Sequence, residues 1–120
     1  MLFTPRPLST QTLSQEELKA DKKDALSFDT CALGKRVLYV GGFGLSSVYY
    51  IPLSRVQRVF KRLAVSKGFY EKGKVFGSLA YLVIRYDGTK EKVVRFTHEE
   101  ELNEMLNAFR RKTTIPVGKP

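Results

Sequence analysis

The sequence is poor in the residues on which disulfide scaffolds, histidine metal sites and nucleophilic enzymes depend. Its 120 residues include one cysteine, one histidine and no tryptophan. A single cysteine excludes an intrachain disulfide, and a single histidine excludes a metal site built from several histidines. The apolar runs are far shorter than the about 20 residues that a membrane-spanning helix needs, and the N-terminus does not read as a secretion signal. These absences predict one soluble, cytoplasmic domain.

The few reactive side chains do not have the neighbours that catalysis requires. Cys31 has uncharged chain neighbours that would not lower the pKa of its thiol, and His98 lies in the first turn of a predicted helix. Most of the glutamates at 99–101 and 104 are explained by their place at the N-terminus of that helix, where the dipole favours negative charge; the alternative is metal binding or acid–base work. The glycine-rich stretch 41–44 lacks the lysine of a phosphate-binding loop. We therefore predict a protein that is not an enzyme and has no cofactor and no metal.

Positive charge is abundant and concentrated in the middle of the chain. The net charge is +9, and residues 31–96 hold thirteen basic side chains against three acidic ones. Within segment 55–74, Glu71 is the only acidic residue, and aromatic residues interleave with the basic ones. The residues that this pattern selects as a candidate binding site are Arg58, Lys61, Arg62, Lys67, Phe69, Tyr70, Lys72 and Lys74. Such a segment attracts anions; the alternative is a solubilising surface with core aromatics between solvated charges.

The N-terminal part of the chain predicts little regular structure before the first strands. Residues 1–13 are polar and contain prolines, which favours a loose arm. Ser14 and Glu17 have the spacing of a capping box, which predicts a short helix over 15–25. That helix is too polar to be stable alone and must pack against something.

The middle of the chain predicts strands. Residues 35–43, 48–51, 79–86 and 91–96 are rich in β-branched and aromatic residues, and the Asp87-Gly88 pair between the last two predicts a tight hairpin. Segment 54–66 is ambiguous, because Val56, Val59, Phe60 and Leu63 have helical spacing while their residue types favour a strand.

The end of the chain predicts one amphipathic helix. Thr97 and Glu100 have capping-box spacing, and one apolar face follows, formed by Leu102, Met105, Leu106 and Phe109. Residues 113–120 are predicted to be a flexible tail.

This order of elements resembles the pleckstrin-homology-like (PH-like) superfold, in particular its GRAM-like and bacterial PH-like groups. The local match is Ile51-Pro52-Leu53-Ser54, followed by apolar residues at Val56 and Val59. The resemblance implies a mainly β (α+β) fold in which a bent antiparallel β-barrel is capped by a C-terminal helix, and it favours a strand for 54–66. Lipid-binding members carry basic residues around the loop that follows the first predicted strand. Residues 41–47 of this chain contain none, so no phosphoinositide site is implied.

The resulting organisation is an N-terminal arm and short helix (1–30), a PH-like domain (31–112) and a tail (113–120). We interpret the chain as a non-catalytic interaction module whose partner is a protein or peptide. The alternative is electrostatic binding of an anionic polymer such as nucleic acid, or of an anionic membrane surface, through segment 55–74.

Truncation of Leu106 tests the predicted C-terminal helix. If this side chain is buried against the sheet, Leu106→Ala should lower the free energy of unfolding by about 2–5 kcal/mol, because the truncation removes apolar contacts and leaves a cavity. Urea denaturation of both proteins measures the difference, and an unchanged melting temperature would contradict the packing.

Overall fold

The computed structural model describes residues 6–41, 48–65 and 78–119 as a mixed α+β fold made mostly of strands. The strands are β1 (Arg6–Pro7), β2 (Leu26–Phe28), β3 (Cys31–Leu33), β4 (Val37–Gly41), β5 (Val48–Pro52), β6 (Val56–Val65), β7 (Ser78–Tyr86) and β8 (Lys90–Phe96). The helices are α1 (Gln15–Lys23) and α2 (Glu99–Lys112), and a 3₁₀ turn, Leu53–Arg55, precedes β6. The described strands form a first sheet of order β1-β5-β4-β3-β2 and a second of order β6-β7-β8. The closed barrel therefore stays a prediction.

The first sheet is buried on both faces. Leu38, Val40 and Ile51 point into the main core, which lies between the two sheets and α2. Tyr39 and Tyr50 point to the opposite face, where they pack with Leu18 of α1. Because successive side chains of a strand alternate between faces, this double cover explains why β4 is apolar at consecutive positions.

Helix α1 begins with the predicted capping box and is held to the first sheet by hydrogen bonds. The Ser14 hydroxyl accepts a hydrogen bond from the backbone N–H of Glu17, whose side chain accepts one in return. At the other end, the carboxylate of Asp21 accepts hydrogen bonds from the Arg36 N–H (2.8 Å) and the Tyr39 hydroxyl (3.0 Å). A side chain at position 34 would collide with that carboxylate, which accounts for Gly34. The polar helix thus finds the packing partner that its composition requires.

Within segment 54–66, the described residues form the end of the 3₁₀ turn and then strand β6 (Val56–Val65), so the helical spacing was misleading. β6 pairs with β7 from Val56 to Val65, with a register irregularity at Gln57. Val59 and Phe60 are adjacent and both buried, yet they point to opposite faces of the sheet. Two adjacent apolar residues at this point break the period of two and imitate a helix.

Helix α2 packs its predicted apolar face into the core. Leu102, Met105, Leu106 and Phe109 are all buried, which confirms that prediction. The predicted capping box is wrong, because His98 precedes the helix and its side chain makes no capping bond. The Asp29 carboxylate, from the turn between β2 and β3, instead accepts hydrogen bonds from the Thr97 N–H (2.7 Å), the Thr97 hydroxyl (2.6 Å) and the His98 N–H (3.0 Å).

The described parts of the N-terminal arm and of the predicted tail pair with strands, which corrects the interpretation of residues 6–8 and 116–118 as loose. β1 pairs in parallel with β5, and the Leu8 N–H donates to the Tyr50 carbonyl. Since β1 and β2 belong to the first sheet, the predicted boundary at residue 30 divides a sheet. After α2, the Val59 N–H donates to the Pro116 carbonyl (3.1 Å), and the Gly118 N–H donates to the Val59 carbonyl (2.9 Å). The predicted tail therefore lies along β6, at least to Gly118.

Asp87, in the hairpin turn between β7 and β8, ties the N-terminal segment to the second sheet. It has a positive φ of 50°, followed by Gly88 at 85°, which confirms the predicted tight turn. Its carboxylate accepts hydrogen bonds from the Ser9 hydroxyl (2.8 Å), the Thr10 N–H (2.8 Å) and Arg55 Nε (2.7 Å). Burial alone would raise the pKa of Asp87, but these donors more than offset it and hold the pKa well below its usual range.

Among the described residues, no helix is both long and apolar enough to cross a membrane.

Asp87→Asn tests this contribution to stability. The variant keeps a residue type that tolerates positive φ but loses the charge, so we expect lower stability at neutral pH. In the native chain, a depressed folded pKa means that the stabilisation is complete above the ordinary aspartate pKa of about 4 and is lost as pH falls below it. Urea denaturation at several pH values should therefore show a weaker acid destabilisation in the variant. An unchanged pH dependence would contradict the assignment.

Candidate interaction face

The outer face of the second sheet carries an ordered set of basic side chains. Val59, Ile84 and Val94 point into the core, so the alternate residues of each strand point outward. The strand register aligns the outward residues in three rows across the sheet: Arg58, Arg85 and Glu91; Phe60, Val83 and Val93; Arg62, Tyr81 and Arg95. We call this surface the arginine face.

The central row of the arginine face is apolar and largely covered by its neighbours. Val83 lies in the middle strand and is fully buried, and Phe60 is 4% exposed. The guanidinium groups of Arg62 and Arg85 lie 6.0 and 5.7 Å from the centre of the Phe60 ring. Cation–π attraction at this range favours these positions of both arginines. Phe60 is too buried to offer an open ring, and the partly exposed aromatic residue of the face is Tyr81, in the next row.

Glu91 is the only carboxylate in the three rows, and it lies within reach of two arginines. Its Oε2 is 3.3 Å from Arg85 Nε, and its Oε1 is 3.9 Å from Arg62 Nη2. Arg95 is exposed and has no ion pair with any residue that the structure describes. Arg58 is half-buried, and its Nη1 donates to the Gly118 carbonyl at 3.0 Å. Four arginines and one glutamate leave the face strongly positive.

The structure separates the candidate residues that were predicted from the sequence. Arg58 and Arg62 lie on the arginine face. Lys61 points to the opposite side of the sheet, where its Nζ donates to Glu99 (2.8 Å) and Asn103 (2.9 Å) of α2. The remaining candidates lie outside the described residues: Lys67, Phe69, Tyr70, Lys72 and Lys74. Neighbouring basic residues of one strand thus serve different surfaces, because successive side chains alternate.

Two residues of the arginine face were not among the candidates predicted from the sequence. Arg85 and Arg95 belong to strands that were predicted correctly, and each lies two positions from an outward-facing valine. The period of two along those strands could have selected them. Lys90 and Lys92, on the same hairpin, have the opposite parity, and Lys92 Nζ lies 5.6 Å from the Tyr49 ring of the first sheet.

The side chains considered for chemistry are not grouped into one site by the described part of the structure. Cys31 is 4% exposed, and burial raises the pKa of its thiol to about 12. His98 is exposed, and Glu99 forms the ion pair with Lys61. No three His, Cys, Asp or Glu residues of the described segments are grouped as a metal site would require. Of the glycine-rich stretch, Gly41 ends β4, and residues 42–47 lie outside the described segments.

Thiol reactivity provides a direct check on Cys31. Because the thiolate is the nucleophile, burial and the raised pKa should make the native protein react with iodoacetamide at least about a hundredfold more slowly than the urea-unfolded chain. Mass spectrometry of quenched samples measures both rates. Similar rates in the two states would mean that the thiol is accessible.

Comparisons of the chain with protein-family models, with curated proteins and with solved structures give no significant match. A functional proposal for this chain therefore depends on its own fold and on the chemistry of the arginine face.

Proposed function

We propose that the chain is a non-catalytic, PH-like interaction module that binds an acidic segment of a partner protein on the arginine face. The PH-like part of this proposal is supported by the order of the elements. Antiparallel strands β2 to β5 are followed by antiparallel strands β6 to β8 and then by α2, which packs against strands of both sheets. The buried Cys31 thiol, with its raised pKa, supports the non-catalytic part.

The observation that carries the proposed partner is the position of Glu91. Its two carboxylate oxygens face Arg85 and Arg62, so the spacing of these guanidinium groups suits a carboxylate. Arginine binds carboxylates with paired N–H donors and is enriched where planar anions are recognised. Carboxylates of a partner would contact Arg95 and the outer N–H groups of Arg62 and Arg85, all three of which are exposed.

The burial of Phe60 in the central row of the arginine face favours an acidic protein segment over single-stranded nucleic acid as the partner. Proteins that bind single strands stack bases on open aromatic rings, whereas Phe60 is buried and Tyr81 is only partly exposed. The exposed apolar residue of the row, Val93, lies in edge strand β8. A peptide that places carboxylates over the arginines and an apolar side chain on Val93 would use both features.

Charge reversal on the arginine face tests the proposal. We expect Arg62→Glu/Arg85→Glu to weaken binding of a fluorescent glutamate-rich peptide by at least about tenfold. The reason is that the new glutamates would repel the carboxylates of the peptide, where the arginines attracted them. The matched control is Lys19→Glu/Lys23→Glu, which makes the same charge change on exposed residues of α1, the helix that covers the other sheet. Fluorescence anisotropy at low and physiological salt measures the affinities, and melting temperatures verify folding. Equal weakening by both double variants would mean that net charge alone attracts the peptide.

Glu91→Gln should change the affinity for the peptide in the opposite direction. This substitution removes the carboxylate that competes for Arg62 and Arg85, so the peptide should bind more tightly, by a few-fold. The same variants are titrated with single-stranded RNA of matched charge and with phosphatidylserine vesicles. If either binds the native chain more tightly than the peptide and responds to these substitutions, the partner class proposed here is wrong.

A further inference from the structure

A second basic region lies between α2, β6 and the segment after α2. It is a cavity of about 350 Å³. Four residues spaced along one side of α2 form the first wall: Asn103, Leu106, Asn107 and Arg110. Phe60 and Lys61 of β6 form the second wall, and residues 117–119 form the third.

The third wall is built by the pairing of the C-terminal segment with β6. Val117 forms a parallel bridge with Val59, whose N–H and carbonyl bond Pro116 and Gly118. Gly118 has a φ of 122°, a conformation that favours glycine. Arg58, which reaches this segment from the arginine face, donates to the Gly118 carbonyl and adds a further bond. These contacts bring Lys119 to the rim of the cavity.

The polar groups of the cavity are arranged as hydrogen-bond donors. Asn103 Oδ1 accepts from Lys61 Nζ at 2.9 Å, and Asn107 Oδ1 accepts from Arg110 Nη1 at 2.8 Å. Since each amide oxygen bonds a cation, the NH₂ group of each asparagine is left as a donor. No carboxylate lines the cavity among the residues that the structure describes. The lining therefore suits an acceptor-rich, anionic ligand.

The charge of the lining suits a dianion. The charge of Lys61 is balanced by Glu99, which accepts a hydrogen bond from its Nζ at 2.8 Å. Arg110 and Lys119 have no carboxylate partner within the described part of the chain, so two positive charges are uncompensated. Leu106 and Val117 add apolar surface beside these donors.

We propose that this cavity binds a small organic phosphate monoester. The phosphate takes the donors of Arg110, Lys119 and the two asparagine amides, and the carbon part of the ligand contacts Leu106 and Val117. The volume is near the lower limit of small-molecule clefts, which span about 300–1,000 Å³, so the site suits a metabolite-sized molecule rather than a polymer. It differs from the arginine face in shape and ligand, although Phe60 contributes to both surfaces.

Phenyl phosphate and inorganic phosphate are the probes that test this site. We expect phenyl phosphate to bind at least about tenfold more tightly, because its ring buries apolar surface that inorganic phosphate lacks. Arg110→Gln and Lys119→Gln should each weaken phenyl phosphate binding by about tenfold through loss of a charge-assisted contact. Asn107→Asp, which replaces a donor by a carboxylate of the same shape, should abolish it. Chemical-shift titration of amide resonances measures these affinities and locates the ligand.

The control is Arg111→Gln, the same change one residue along the helix, where the side chain lines a different cavity. It should leave phenyl phosphate binding unchanged, as should Arg62→Glu/Arg85→Glu on the arginine face. The proposal is overturned if Arg111→Gln weakens binding as much as Arg110→Gln, if Asn107→Asp binds normally, or if the shifted resonances belong to the arginine face.

Discussion

The register of β6 against β7 is the constraint on which the two basic surfaces of this protein depend. With Val59 opposite Ile84 and pointing inward, Phe60 and Arg62 must point outward, and Lys61 must point toward α2. The same register leaves the N–H and carbonyl of Val59 free at the edge of the sheet, where the C-terminal segment pairs with them. A shift of one residue would exchange the two faces and place arginines in the core. Burying these unpaired charges would cost too much free energy, so that register is excluded.

Two aspartates in tight turns hold together parts of the chain that are far apart in sequence. Asp29 and Asp87 both have positive φ, which their short polar side chains tolerate. Asp29 accepts hydrogen bonds from the N–H groups of Thr97 and His98, just before α2, and Asp87 accepts hydrogen bonds from Ser9, Thr10 and Arg55. Each carboxylate is held in its charged form by several donors, so both turns act as anchors as well as reversals of chain direction.

The two basic surfaces share a sign of charge but differ in chemistry. The arginine face is a broad sheet surface whose guanidinium groups are ordered by Phe60 and by one carboxylate. The cavity beside α2 is concave and lined by amide donors and by two cations that have no carboxylate partner among the described residues. Arg58 connects them, because it lies on the face yet bonds the segment that closes the cavity.

Local chemistry along the chain determined much of the fold. The capping box of α1, the Asp87-Gly88 hairpin and the apolar face of α2 each depend on residues close in sequence, so the sequence was enough to predict them. Strands β2 and β3 were not predicted, since three residues are too few to show a period. Segment 54–66 was ambiguous because the adjacent apolar residues Val59 and Phe60 are both buried, on opposite faces of the sheet, which breaks the period of two.

The composition of the sequence determined that this protein is strongly basic and that its excess charge lies in the middle of the chain. Only the tertiary structure decided which basic residues act together. Arg85 and Arg95 lie on the same face of the sheet as Arg62, on strands that pair with one another, while the side chain of Lys61, the chain neighbour of Arg62, points to α2 and bonds Glu99. The hydrogen bonds of Asp29 to Thr97 and His98 and the pairing of the C-terminal segment with Val59 are likewise contacts between distant residues. Such contacts depend on strand register and on the alternation of side chains between faces, which distance along the chain does not reveal.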